Sequence, residues 1–152
     1  MKKFSLALAA LFITALSLFS SCSSSSSASP SFPMMATVGG TAFEGTICLA
    51  GVVSSNLAIT GSSTTGGVTG PPQINISVVN WSGSTGTFNF GAITAGSHFA
   101  QYIVSTGSVA KTTSSGSVTI TDVSATEIKG TFNFTCTDGT AITGGTFTAQ
   151  RQ

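Results

Sequence analysis

The strongest constraint in this chain is a two-residue period. From Ile128 to Cys136, the residues Ile128, Phe132, Phe134 and Cys136 fall on one side of an extended chain, while Lys129, Thr131, Asn133 and Thr135 fall on the other. A helix would scatter these apolar residues around its axis, whereas successive side chains of a strand point to opposite faces of a sheet. The stretch therefore predicts a half-buried antiparallel strand. Val118 and Ile120 alternate with Ser117, Thr119 and Thr121 in the same way, as do Ile74, Ile76 and Val78 with Asn75 and Ser77. Phe88 and Phe90 face one side past Thr87 and Asn89, and Phe147 and Ala149 form the last such pair. The Phe99–Val104 run is less regular, which predicts a bulge or burial on both faces. No stretch from Met34 onward carries the apolar spacing of an amphipathic helix.

Turn chemistry separates these runs. Gly39-Gly40 predicts a tight hairpin between Met34–Val38 and Thr41–Glu44, and Asp138-Gly139 predicts another after Cys136. The stretch "GSSTTGGVTGPP" from Gly61 to Pro72 reads as the longest connection, and the Ser/Thr segment Lys111–Ser115 as a further one. Short strands joined in this manner imply an all-β fold, an antiparallel meander closed into a β-sandwich or small barrel, in one domain over 34–152. Its length suits a single modest core.

"GTFNF" occurs at Gly86–Phe90 and again at Gly130–Phe134. The surroundings of the two copies differ, and a true repeat needs a whole supersecondary unit recurring at a fixed period. The expectation is one structural solution used in two strands of one sheet: glycine for close approach, Thr and Asn on the wet face, both Phe in the core.

The opening "MKKFSLALAALFITALSLFSSC" has two lysines, an apolar run from Phe4 to Phe19 and then small polar residues, the layout of a secretory signal peptide over 1–21. A run of sixteen residues falls short of the roughly 20 that span a bilayer. Phe19-Ser20-Ser21-Cys22 resembles the lipobox of bacterial lipoproteins, with Phe19 where most members carry Leu. That resemblance implies a diacylglyceryl (palmitate-type) anchor on Cys22. Ser23, in place of the Asp that marks inner-membrane retention in that family, implies the outer membrane, with its two sides both open. "SSSSSASPSFP" then reads as a disordered tether across 22–33.

Without the leader, Lys111, Lys129 and Arg151 stand against Glu44, Asp122, Glu127 and Asp138. So neutral a domain lacks the cation cluster that neutralises phosphates, which excludes nucleic acid as a partner. Cys48 and Cys136 remain as an even pair in an oxidising compartment. A disulfide between them would close a long loop and contribute roughly 4 kcal/mol on the chain-entropy model. The alternative is two buried reduced thiols packing as small hydrophobes.

Catalytic signals are sparse. His98 is the single histidine and has no metal-ligand spacing around it, so neither a metal nor a cofactor is expected. A Ser-His-Asp set through Asp122 or Asp138 lacks a G-x-S-x-G elbow, and His98 reads as a loop-edge residue. Trp81 in "NWSG" and Tyr102 in "AQYIV" are candidates for stacking on sugars or anchoring a protein contact, with core packing as the alternative. The expected role is non-enzymatic: a membrane-anchored structural or protein-interaction component of the envelope. The alternative is a surface carbohydrate-binding or adhesive module. Strand exchange is conceivable for the latter, because few charges guard the strand edges.

"ATVGGTAFEG", "GSVTITDVSATEIKGTFNF" and "GGTFTA", in that order, make Met34–Ala149 resemble a family of uncharacterised Bacteroidota lipoproteins, a domain of unknown function. The resemblance implies an anchored all-β architecture and brings no catalytic or ligand residue with it.

Overall fold

The computed structural model describes residues 33–65 and 68–152. The leader, the Cys22 lipobox and the tether as far as residue 32 lie outside the described residues. Ten strands follow in chain order: β1 (Met34–Val38), β2 (Thr41–Gly45), β3 (Ile47–Val53), β4 (Asn56–Thr65), β5 (Val68–Val78), β6 (Gly86–Phe90), β7 (Phe99–Ile103), β8 (Lys111–Val123), β9 (Glu127–Cys136) and β10 (Ala141–Arg151). No helix occurs among the described residues.

Seven strands close a barrel in the order β10-β3-β4-β5-β7-β8-β9 and back to β10. An odd ring of alternately up and down strands cannot be antiparallel throughout. The one parallel pair is β10 with β3, at Gln150↔Leu49 and Arg151↔Ala50. This contact and the β7–β8 contact are each only two residue pairs long. Shorter strands occupy the rest of those two edges: β1 pairs β10 from Met34↔Phe147 to Val38↔Ile142, and β6 pairs β8 from Gly86↔Ile120 to Phe90↔Gly116. The β1–β2 hairpin turns on Gly39-Gly40, both at positive φ (54° and 88°), as a tight glycine turn requires. It sends Met34, Ala36 and Phe43 into the common core. Met34 lies against the backbone of Gly61, where a Cβ would sit 2.7 Å from the Met34 Cβ.

The register explains the repeated pentapeptide. Both copies run antiparallel to β8 on its two sides and meet the same residues: Gly86 and Gly130 both oppose Ile120, Thr87 and Thr131 oppose Thr119, and Phe88 and Phe132 oppose Val118. A third Gly-Thr-Phe, Gly145–Phe147, pairs antiparallel with the second, so that Gly130↔Phe147, Thr131↔Thr146 and Phe132↔Gly145 stand opposite each other. Each ring therefore lies over the glycine of the neighbouring strand, and the two rings are 6.3 Å apart. A Cβ on Gly130 would stand 2.6 Å from the Phe147 ring and collide with the Thr119 carbonyl oxygen. Further into the core, Phe90 meets Phe134 edge-on at 6.0 Å.

Two expected connections are strands instead. Lys111–Ser115 opens β8, and most of Gly61–Pro72 continues the β4–β5 hairpin. The hairpin absorbs its prolines because Ser62 pairs Gln73 while Ser63 pairs Gly70, leaving Pro71 and Pro72 outside the ladder, where their missing N–H groups cost no strand hydrogen bond. β7 is partly exposed on both faces except at Ala100, which accounts for its irregular pattern.

Gly130→Ala is expected to destabilise the barrel by about 1–3 kcal/mol, since backbone as well as a ring must move. Gly51→Ala, with open space around the added carbon, stays within about 0.5 kcal/mol of the parent. Urea unfolding of the two variants side by side measures the difference.

Candidate functional site

The barrel's outer surface divides into two unlike regions. One is a wall on β6, β8, β9 and β10, where the register places Thr87, Thr119, Thr131 and Thr146 in one row and Asn89, Ser117 and Asn133 in the next. Neighbouring residues of a row are about 4.8 Å apart, the strand spacing. The Thr87 and Thr119 hydroxyls bond at 2.9 Å. No side chain in these two rows carries a charge, and Phe88, Phe132 and Phe147 fix the backbone from beneath.

The other region is the β3 flank. Leu49 and Val53 project outward at 37% and 74% exposure, Ile47 is partly exposed on the same face, and Val52 is exposed at the tip. Ile47 and Leu49 also form the apolar side of a groove of about 160 Å³, completed by Thr60, Ser62, Gly70 and Gln73. Above it, the β3–β4 turn holds Ser54 and Ser55 at positive φ (49° and 64°). Serine is a poor occupant of that conformation, and the neighbouring loop clamps it: the Trp81 N–H donates to the Ser55 carbonyl at 2.7 Å and the Asn80 N–H to Asn56 Oδ1 at 3.1 Å.

The aromatic candidates have different placements. Trp81 is 5% exposed, part of the core, with its indole N–H donated to the Ser84 carbonyl at 2.8 Å, so it offers no stacking surface. Tyr102 is half-buried against the core, its ring edge-on to Phe43 at 6.5 Å. His98 Nδ1 accepts the Val79 N–H at 3.0 Å while Phe88 meets its ring edge-on at 5.4 Å. These contacts place the imidazole in the packing of the β5–β6 end. Among the described residues, no three His, Cys, Asp or Glu side chains gather closely enough to hold a metal ion.

The two cysteines are free and buried, which corrects the expected disulfide. β10 measures the gap between them. Cys136 closes β9 beside the start of β10, whereas Cys48 precedes Leu49, the partner of Gln150 at the far end. The eight residue steps of strand from Ala141 to Ala149 span roughly 25 Å, and a disulfide needs its Cα atoms within about 7 Å. Burial pushes the Cys48 thiol up to about 12. Burial also raises Cys136, whose sulfur points to the Lys111 carbonyl at 3.8 Å.

The carboxylates are dispersed as well. Glu127 pairs with Lys129 at 2.7 Å, and Asp138 with Lys111 at 2.8 Å. The Lys111 hydrogen bond, followed by those of the Thr140 N–H and hydroxyl, holds the Asp138 carboxyl down at about 2. The sequence reading missed the in-register wall and the β3 flank. The recurrence of Gly-Thr-Phe in three places was the available signal for the wall.

The chain belongs to the DUF6252 family, described as a domain of unknown function, whose model matches residues 30–149. Comparison with curated proteins and with solved structures gives no match.

Two outcomes follow from the buried thiols and the Asp138 turn. Both thiols of the folded domain should resist an aqueous thiol reagent and react in full once urea unfolds the chain, with no change in mobility on reduction. Because the Asp138 carboxyl is depressed in the fold, its stabilisation is present above the ordinary value of 3.8 and is lost as pH falls towards 2. Asp138→Asn should therefore flatten the melting-temperature profile over that interval. The effect is small, because the pair is exposed.

Proposed function

We propose that this chain is a lipid-anchored, non-enzymatic protein of the bacterial outer membrane that acts by contact, through the wall on β6, β8, β9 and β10. The observation that carries the reading is the register itself: hydroxyl and amide groups of four strands form two uncharged rows on a backbone held by buried aromatic rings. Such a surface cannot attract a partner over distance by charge. It suits a neutral partner met at short range, recognised by hydrogen bonds at fixed spacing. An envelope protein fits this best, since a glycan site ordinarily adds an aromatic platform and Trp81 lies inside the core. The non-enzymatic reading is supported by His98, whose Nδ1 and ring are engaged by Val79 and Phe88. The anchor is supported by the lipobox-like Phe19-Ser20-Ser21-Cys22, and the envelope location by the leader before it.

A photo-crosslinking residue placed at Thr131 in living cells tests the proposal. The expected result is a discrete adduct that disappears when Thr119→Lys puts a charge into the row. The same residue at Val109, in the β7–β8 loop and 91% exposed, should give none. Identical adducts from both positions, or no adduct from Thr131, would overturn the wall as the contact surface. An adduct that carries glycan instead of protein, and is lost on adding a soluble envelope glycan, would favour the carbohydrate reading.

A further inference from the structure

We infer that the β3 flank rests on the bilayer, so that the barrel lies on its side with the β6 and β8 part of the wall turned away from the membrane. The inference rests on the lipid-anchor reading above. Three features of the structure support it.

The first is where the anchored end enters. The Thr148 N–H donates to the Pro33 carbonyl at 3.0 Å, which puts Pro33 on the edge of β10 two positions from Gln150, the partner of Leu49. The domain is thus joined to its anchor at the fork between β1 and β3. Eleven residue steps lead from Cys22 to Pro33, a reach of at most about 40 Å. A lipid on Cys22 therefore keeps this entry point within that distance of the membrane, so that the surface beside it is the first to meet the bilayer when the tether is drawn in.

The second is the chemistry of that side. Ile47, Leu49 and Val53 follow one another on the outer face of β3, with Val52 at the tip and the apolar side of the groove beside them. Met35, 49% exposed on the outer face of β1, extends the patch across the entry point. Charge appears only at its borders, Glu44 opposite Met35 and Arg151 opposite Ala50. A patch of exposed aliphatic side chains with charges at the rim suits the boundary between headgroups and acyl chains. It does not suit open water.

The third is its position in the ring. β8 is three strands from β3 in one direction and four in the other, as far away as a seven-stranded barrel allows. Contact through β3 thus leaves the β6 and β8 part of the rows, Thr87, Asn89, Ser117 and Thr119, facing outward and free to meet a partner, while Thr146, opposite Met35, marks the near end of the Thr row.

The test uses the full chain, processed in cells, purified and reconstituted into vesicles of phosphatidylethanolamine and phosphatidylglycerol. Single spin labels are attached at Val53→Cys, at Leu49→Cys and, on the wall, at Asn89→Cys. The native Cys48 and Cys136 are buried and do not compete for the label. Collision with oxygen dissolved in lipid and with a water-soluble nickel chelate reports the surroundings of each label. At Val53 and Leu49 the expected result is a loss of nickel access on reconstitution and a gain in oxygen access, with Asn89 unchanged. Equal nickel access at all three positions overturns the inference and leaves the anchor intact. Mass spectrometry of the same protein examines the anchor separately: a mature chain without acyl mass on Cys22 overturns that reading and this inference together.

Discussion

An aromatic ring laid over a glycine on the next strand holds the long sheet of this barrel together. Between β9 and β10 the arrangement is reciprocal, Phe147 over Gly130 and Phe132 over Gly145. The bare backbone lets each ring approach closely, and the ring in turn shields the backbone hydrogen bonds of a residue that has no side chain to do so. The pairing also fixes register. A slip of one residue would place both rings over threonines and turn the apolar set towards water. β8, held against β9 by the same alignment, then supplies the edge to which β6 and β7 attach. The two short contacts that close the ring are tolerable because this long meander and the β4–β5 hairpin are each well paired on their own.

The same alignment determines the surface. When glycine and phenylalanine alternate inward in register, the threonines between them stand in register outward, so the polar rows come from core packing as much as from any demand for polarity. The β3 flank arises differently. β3 meets β10 for only two residue pairs, and its outward residues are aliphatic. One face of the domain is ordered and polar, and the other is apolar and lies beside the entry of the chain.

The sequence revealed most of the strands that have one wet face, although it passed over β4, where Leu57 and Ile59 alternate with Ala58 and Thr60. β9, with Lys129, Thr131 and Asn133 set against Phe132 and Phe134, was legible to within a residue, as were the Gly39-Gly40 and Asp138-Gly139 turns. β3 was not, because in "ICLAGVV" the inward Cys48 and Ala50 alternate with equally apolar outward residues and leave no period to detect. Gly61–Pro72 misled for the opposite reason: its glycines and prolines are turn formers by composition, yet the register shift at Ser62 and Ser63 lets a strand pass through them. The wall was legible only as a repeated word. That the copies flank one strand depends on β8 lying between them, a long-range pairing that local pattern does not contain. Trp81 and the two cysteines show the same limit, since burial and separation belong to the closed barrel and not to the neighbouring residues.

One further consequence comes from the odd number of strands. Because β10 runs parallel to β3 while β1 shares its edge, the described residues begin with Pro33 against Thr148 and end with the Gln152 N–H bonded to the Ala50 carbonyl, a few residues away. Start and finish lie at one place on the rim. Such a unit can be spliced into a surface loop of another protein, or re-cut elsewhere after joining its ends by a short linker, without threading the chain across the barrel. The architecture is in that sense portable, and a cargo fused behind Gln152 would sit on the same side of the barrel as the anchor.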